Sequence, residues 1–224
     1  MGADNAIRVR LAAAAFAIAG VLFVLYPAIR PFSDETSLQG AAAFASTAWI
    51  LAHMLAMVGF TLVMLGLLGL YLAMRSAAAE GTAFWALAVG VLGIGLLLPF
   101  YGGEAFGLHA IGHEAVRLHS VTLVALAGVV RSGPELIMFL VGLLLLAASA
   151  IMTAVAIWKS GSFPKWSGVP FAVGFALYIP QFFGNQPIRV AHGLLVTVGC
   201  LWIAVGMWRQ PSRPSPQEPA SHTS

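Results

Sequence analysis

Residues 47–74 read TAWILAHMLAMVGFTLVMLGLLGLYLAM, 28 positions without an aspartate, glutamate, lysine or arginine. As a helix that length reaches about 42 Å, against roughly 30 Å for the hydrocarbon core of a bilayer. In lipid every backbone N–H and C=O must find its partner within the chain, and a single segment achieves this only as a helix. The stretch is therefore predicted to be a transmembrane helix.

Working outward, the runs 11–29, 83–101, 135–158, 167–183 and 190–208 have the same character. Together they predict an all-α, polytopic transmembrane bundle of six spans occupying residues 1–208. Composition agrees: 60% of the chain is apolar and 8% charged, with a mean hydropathy of +0.91. A soluble domain carries about 25% charged residues, so this chain cannot cover a water-facing surface of its own size. The net charge of +3 does not indicate nucleic-acid binding, because the basic residues are scattered rather than clustered. A lone cysteine, Cys200, excludes an intrachain disulfide.

Arg8 and Arg10 precede the first run as in a signal peptide, but no small-residue cleavage site follows, which predicts a retained span. Between the runs, one side of the membrane collects Arg8, Arg10, Arg75, Lys159, Lys165, Arg209 and Arg213, and the other Arg30, Arg117, Arg131 and Arg189. The positive-inside rule then puts both termini in the cytoplasm and the chain in the cell's inner (plasma) membrane. Trp85, Trp158, Trp166 and Trp208 fall at expected inner ends, Trp49 at an outer end, and Trp202 mid-span. Residues 209–224 are polar and proline-rich, and are expected to be a disordered cytoplasmic tail. Residues 102–133 form a long outer connection whose apolar part, 118–130, is expected to lie on or partly re-enter the membrane; a seventh span there is the competing topology.

LYPAIRPF (25–32), LPFYGG (98–103) and LYIPQFFG (177–184) end the three outward runs alike, and Ala-His opens the second and sixth. A helical hairpin used three times would explain this, as would the ordinary enrichment of aromatics and prolines at membrane boundaries. Ala48, Ala52, Ala56 and Gly59 suit close helix approach. Gly90, Gly93 and Gly95 spell G-x-x-G-x-G, but mid-membrane they read as packing or bending positions. Neither a P-loop nor a G-x-S-x-G elbow occurs.

The polar residues converge on one side. His53 precedes Arg75 by 22 residues and His192 precedes Arg209 by 17, about 33 and 26 Å along a helix, so both histidines sit near the outer boundary. The connection GGEAFGLHAIGHEAVRLH adds Glu104, His109, His113, Glu114, Arg117 and His119. His109 and His113 share a helix face at i and i+4 and, with Glu104, are the candidate metal ligands for zinc or copper. His53 and His192 are the candidate cofactor ligands, placed to hold a haem between facing helices. Tyr101, Tyr178, Gln181, Asn185, Gln186 and Arg189 also lie at outer helix ends. Two readings compete with these: His53 and His192 hydrogen-bond across helices while the loop histidines merely suit an interface, or the cluster is a polar binding pocket without metal; HEAVRLH lacks the H-E-x-x-H spacing of zinc proteases.

PFYGGEAFGLHAIG (99–112) and FPKWSGVPFAVGFALYIPQFFGNQPIRVAHGLLVTVGCLW (163–202) resemble multi-pass membrane proteins of high-GC bacteria that carry no assigned function. The resemblance covers the C-terminal two-thirds and implies a helical membrane bundle, with no reaction attached. The functional expectation is a membrane protein that binds a small ligand, a lipophilic one among the candidates, or a metal at its outer face. Alternatives are a haem-linked electron carrier, a metal-assisted membrane hydrolase, or a subunit that packs against a membrane-protein partner. The nearly all-apolar midplane argues against a path for polar solutes.

Overall fold

The structure is a computed structural model that describes residues 3–75 and 77–210. These residues are helical, with no strand among them. Long helices are α1 (Ala3–Ile29), α3 (Thr47–Met74), α4 (Glu80–Gly102), α8 (Gly133–Ser160) and α10 (Gln186–Trp208). Shorter ones are α2 (Leu38–Phe44), α5 (Leu108–Leu118), α6 (Val121–Val124), α7 (Leu126–Val130) and α9 (Val169–Ala176). A π-helical turn, Gly103–Gly107, joins α4 to α5 without a break, so that one apolar helix runs Glu80–Leu118. Among the described residues five helices are long and apolar enough to cross a membrane.

The run 167–183, expected to be one continuous span, is a correction. It is resolved as a 3₁₀ turn (Lys165–Gly168), the eight-residue α9 and a second 3₁₀ turn (Pro180–Phe183). Proline contributes: Pro180 lacks the N–H that would bond the Ala176 carbonyl, so the ladder of α9 is not carried on past its last residue. Residues 118–130 do not form a seventh span either; Val121–Val130 is too short to cross. The tail expected over 209–224 lies, from 211 onward, outside the described residues.

The helices close into a ring in the order α1, α3, α4, α8, α9, α10 and back to α1. Its interior is aromatic. Phe23 meets Phe60 and Phe175 edge to face with centroids 4.9 and 5.6 Å apart, and Phe16 meets Phe171 at 5.6 Å, the geometry that ring quadrupoles favour. Helices α4 and α8 approach closely, backbone to backbone. A Cβ on Gly93 would lie 2.8 Å from the Gly142 carbonyl oxygen, and one on Gly142 would lie 2.6 Å from that of Gly93. The glycines of span three thus serve packing, apart from Gly95, which has nothing within 4 Å.

A lid of short helices covers one end of the ring. Phe44 of α2, Leu108 and Ala115 of α5, Val124 of α6 and Ala127 of α7 form a second core around Trp49. Trp49 was expected at a membrane interface, yet it is fully buried. The lid explains the difference: Trp49 donates its indole N–H to the Glu104 carbonyl at 2.7 Å. Trp85, Trp158, Trp166 and Trp208 at the opposite end are exposed, as an interfacial belt would be.

Candidate functional site: a charged network and cavity at the capped end

The capped end is shaped by three local features. After Pro31 the chain turns on Asp34, whose carboxylate accepts from the Thr36 backbone N–H at 3.0 Å, and Ser37 caps α2. Gly40 lets α2 close onto this turn, since a Cβ there would meet Glu35 Cα at 2.5 Å. That contact fixes Glu35. The π-turn, a feature that recurs at functional sites, sets Glu104 against the ring's interior, where it is buried. Arg131 enters from the junction of α7 and α8.

These side chains form one connected network. The guanidinium of Arg131 grips Glu104 with two parallel bonds, Nε to Oε1 at 2.5 Å and Nη2 to Oε2 at 2.9 Å. Its Nη1 donates to Glu35 Oε2 at 2.6 Å, and Arg30 Nη2 donates to Glu35 Oε1 at 2.6 Å. Bidentate, charge-assisted pairing of this kind is the strong form of the interaction. Two guanidiniums and two carboxylates leave the network neutral. Burial acts to raise the Glu35 pKa, but the adjacent Arg30 and Arg131 outweigh it and hold the carboxyl below the usual range. Burial likewise works against the Arg131 charge, and Glu104 and Glu35 reverse that, so its pKa is raised.

Aromatic rings back the cations. Arg30 lies over Trp49 at 4.5 Å and over Phe32 at 4.8 Å, and Arg189 over Phe32 at 5.3 Å and Phe182 at 5.7 Å. Arg189 is otherwise held by the backbone, donating to the carbonyls of Gly184 at 3.0 Å and Phe182 at 2.6 Å. Among the described residues no carboxylate pairs with it.

Beside the network lies a cavity of about 640 Å³. Arg30, Glu35, Glu104, Arg131 and Arg189 line its polar part, and Phe100, Leu136, Phe139, Leu140, Ile179 and Phe182 its apolar part. The volume falls within the range of small-molecule sites.

Of the residues expected to form a site, the structure brings some together. His53 donates Nδ1–H to its own helix at the Trp49 carbonyl (2.8 Å), which aims Nε2 at Glu104 Oε2, 3.7 Å away. His192 is tied instead to the Gly174 carbonyl of α9 at 2.7 Å. The two histidines do not face a common gap. Between them runs a line of rings, His53 to Tyr101 at 6.2 Å, the Tyr101 and Tyr178 hydroxyls 2.9 Å apart, then Tyr178 to His192 at 5.2 Å.

His109 and His113 do meet, with their Nε2 atoms 3.2 Å apart, and His109 is oriented by a bond from Nδ1–H to the Phe44 carbonyl at 2.9 Å. Glu104 does not join them, being held by Arg131. Among the described residues no three histidine, cysteine or acidic side chains converge as metal ligands.

Arg30, Glu35 and Arg131 are site residues that the sequence did not single out: Arg30 and Arg131 read as charges between spans, and nothing marks Glu35. A usable signal existed. Arg30 sits between Pro27 and Pro31 and two residues before Phe32, and Arg131 stands between two apolar runs; both are poor settings for a solvated arginine.

No protein-family model, curated protein or solved structure matches the chain.

Proposed function

We propose that this chain is a multi-pass plasma-membrane protein that binds a small ligand at the outer face of the membrane, in the cavity of the capped end. One observation carries the reading. A roomy cavity with one aromatic and aliphatic wall stands against a largely buried network of two arginines and two glutamates whose charges balance. Buried ion networks are costly to assemble and add little net stability over apolar packing, so a network beside a cavity is better explained by recognition than by folding.

The membrane frame has its own support. The five long apolar helices suit a bilayer, and residues 165–183 act as a sixth crossing in broken form, a device found where membrane proteins line a cavity. Six crossings bring both termini to one side, and the seven-to-four distribution of basic residues makes that side the cytoplasm. The capped end then faces outward.

A second reading rests on the His109–His113 pair. Two imidazole nitrogens at 3.2 Å are spaced as two ligands of one divalent metal with bonds of about 2.0–2.1 Å. Metal analysis of protein purified without chelator or histidine tag, beside His113→Ala, tests it. Metal lost in the variant supports the pair, and metal-free wild-type protein rejects it.

The main reading is tested by thiol labelling. Cys200 is fully buried and gives a silent background. Ser33→Cys, on the cavity lining, should react with a membrane-impermeant maleimide on intact cells, while Lys165→Cys should react only after permeabilisation. The reverse pattern overturns the orientation and with it the outer-face site.

A further inference from the structure

We infer that the occupant of the capped-end cavity is an anionic amphiphile, a molecule with a single carboxylate or phosphate head and an apolar chain, which enters sideways from the bilayer. The inference rests on the ligand-binding reading above and names its ligand class.

The head follows from counting donors and charges. Arg30 is only 7% exposed and lines the cavity. A guanidinium carries five N–H donors, and among the described residues a single Arg30 bond is made, to Glu35. None of its remaining nitrogens is both sealed from solvent and unpartnered, since the only such buried atom among the described residues is Thr153 Oγ1. They therefore keep accessible surface, on a residue that lines the cavity. Arg189 lines the same cavity with its charge uncompensated, because its partners are two carbonyls. Both guanidinium carbons lie over Phe32, 4.8 and 5.3 Å from its ring centroid, and both residues line the one cavity. The opposing carboxylates are occupied: Glu104 by Arg131, and Glu35 by Arg30 and Arg131 together. Asp34 also lines the cavity, but its carboxylate is turned to Thr36. An acidic head is what this arrangement lacks.

The tail follows from the perimeter. The ring is weakest beside the second 3₁₀ turn, where the shortness of α9 leaves Pro180–Phe183 to face the start of α8. Contact across that seam is by side chain, with Phe139 and Phe182 centroids 5.8 Å apart. Leu136, Leu140 and Ile179 are half-exposed along it, and Phe183 is 91% exposed. Polarity thus falls from the arginines outward to a lipid-facing apolar slot, which matches a molecule with one charged end.

Native mass spectrometry of the full chain in mild detergent tests this with four probes: oleate, oleoyl lysophosphatidate, oleyl alcohol and inorganic phosphate. The first two should each bind at one copy, at least tenfold tighter than oleyl alcohol, with inorganic phosphate negligible. Arg189→Gln should remove the advantage of the acidic head and Arg189→Lys should keep part of it. Leu140→Trp, which fills the slot from the lipid side, should weaken all three oleyl probes. Equal binding of alcohol and acids, blocked by Leu140→Trp, overturns the acidic-head inference and leaves the cavity as a ligand site. Phosphate binding as tightly as lysophosphatidate overturns the amphiphile. Probe binding that is unchanged in Leu140→Trp removes the cavity reading itself.

Discussion

Replacing Glu104 by alanine withdraws the centre of the charge network. In the structure Glu104 and Arg131 side chains are 9% and 27% exposed and share two bonds. Removing one member of a buried pair costs about 3–5 kcal/mol, chiefly by stranding its partner. Arg131 would keep Glu35 and has water at one edge, which lowers the expectation to about 2–3 kcal/mol. Glu104→Gln retains one acceptor and should cost about 1–2 kcal/mol. Coupling in the Glu104→Ala/Arg131→Ala cycle should be about 2 kcal/mol, well beyond the roughly 0.5 kcal/mol scatter of independent sites. The assay is reversible unfolding in mixed micelles, titrated with sodium dodecyl sulfate and followed by circular dichroism. Single effects under about 0.5 kcal/mol, or additive ones, would refute the claim that this pair organises the capped end.

Acid should loosen the same end. Glu35 has a lowered pKa in the folded chain, so its contribution is complete above the ordinary glutamate value of about 4.3 and is lost as pH falls through the lower folded value. Melting temperature should drop between pH 5 and about 3, and Glu35→Gln should flatten that part of the profile; an identical profile would contradict the pairing. Trp49→Phe removes the indole donor to Glu104 and part of a buried ring and should cost about 1–3 kcal/mol, while Trp49→Ala, which opens a larger cavity in the lid, should cost about 3–5 kcal/mol in the same unfolding assay. Gly93→Ala and Gly142→Ala force apart the α4–α8 contact and should each lose about 1–3 kcal/mol, whereas Gly95→Ala should be silent, a contrast that thermal melts of the three variants can check.

The bundle was legible because lipid imposes a coarse rule. A span must be long, apolar and helical, and Thr47–Met74 is found where its sequence predicts. Only 167–183 escaped, since hydropathy does not register that Pro180 interrupts the ladder. The site was less legible. The gathering of polar groups at one end could be read from helix depth, and so could the His109–His113 pair from its i, i+4 spacing. The ties of His53 to Glu104 and of Arg131 to Glu35 could not. The latter joins residues 96 apart, and it exists because the close seat of Gly40 fixes Glu35 where Arg131 enters from the junction of α7 and α8. Trp49 misled for a related reason: an aromatic at a helix start looks alike whether lipid headgroups or a protein lid surround it.

The claim that the capped-end cavity is a ligand site is tested most directly by cryo-electron microscopy of the chain extracted with its own lipids into polymer nanodiscs, with an antibody fragment added for size. The account predicts elongated non-protein density running from the Leu136–Phe182 slot to a head between Arg30 and Arg189. A cavity filled by the chain's own side chains, with Arg189 turned out to solvent, would contradict it.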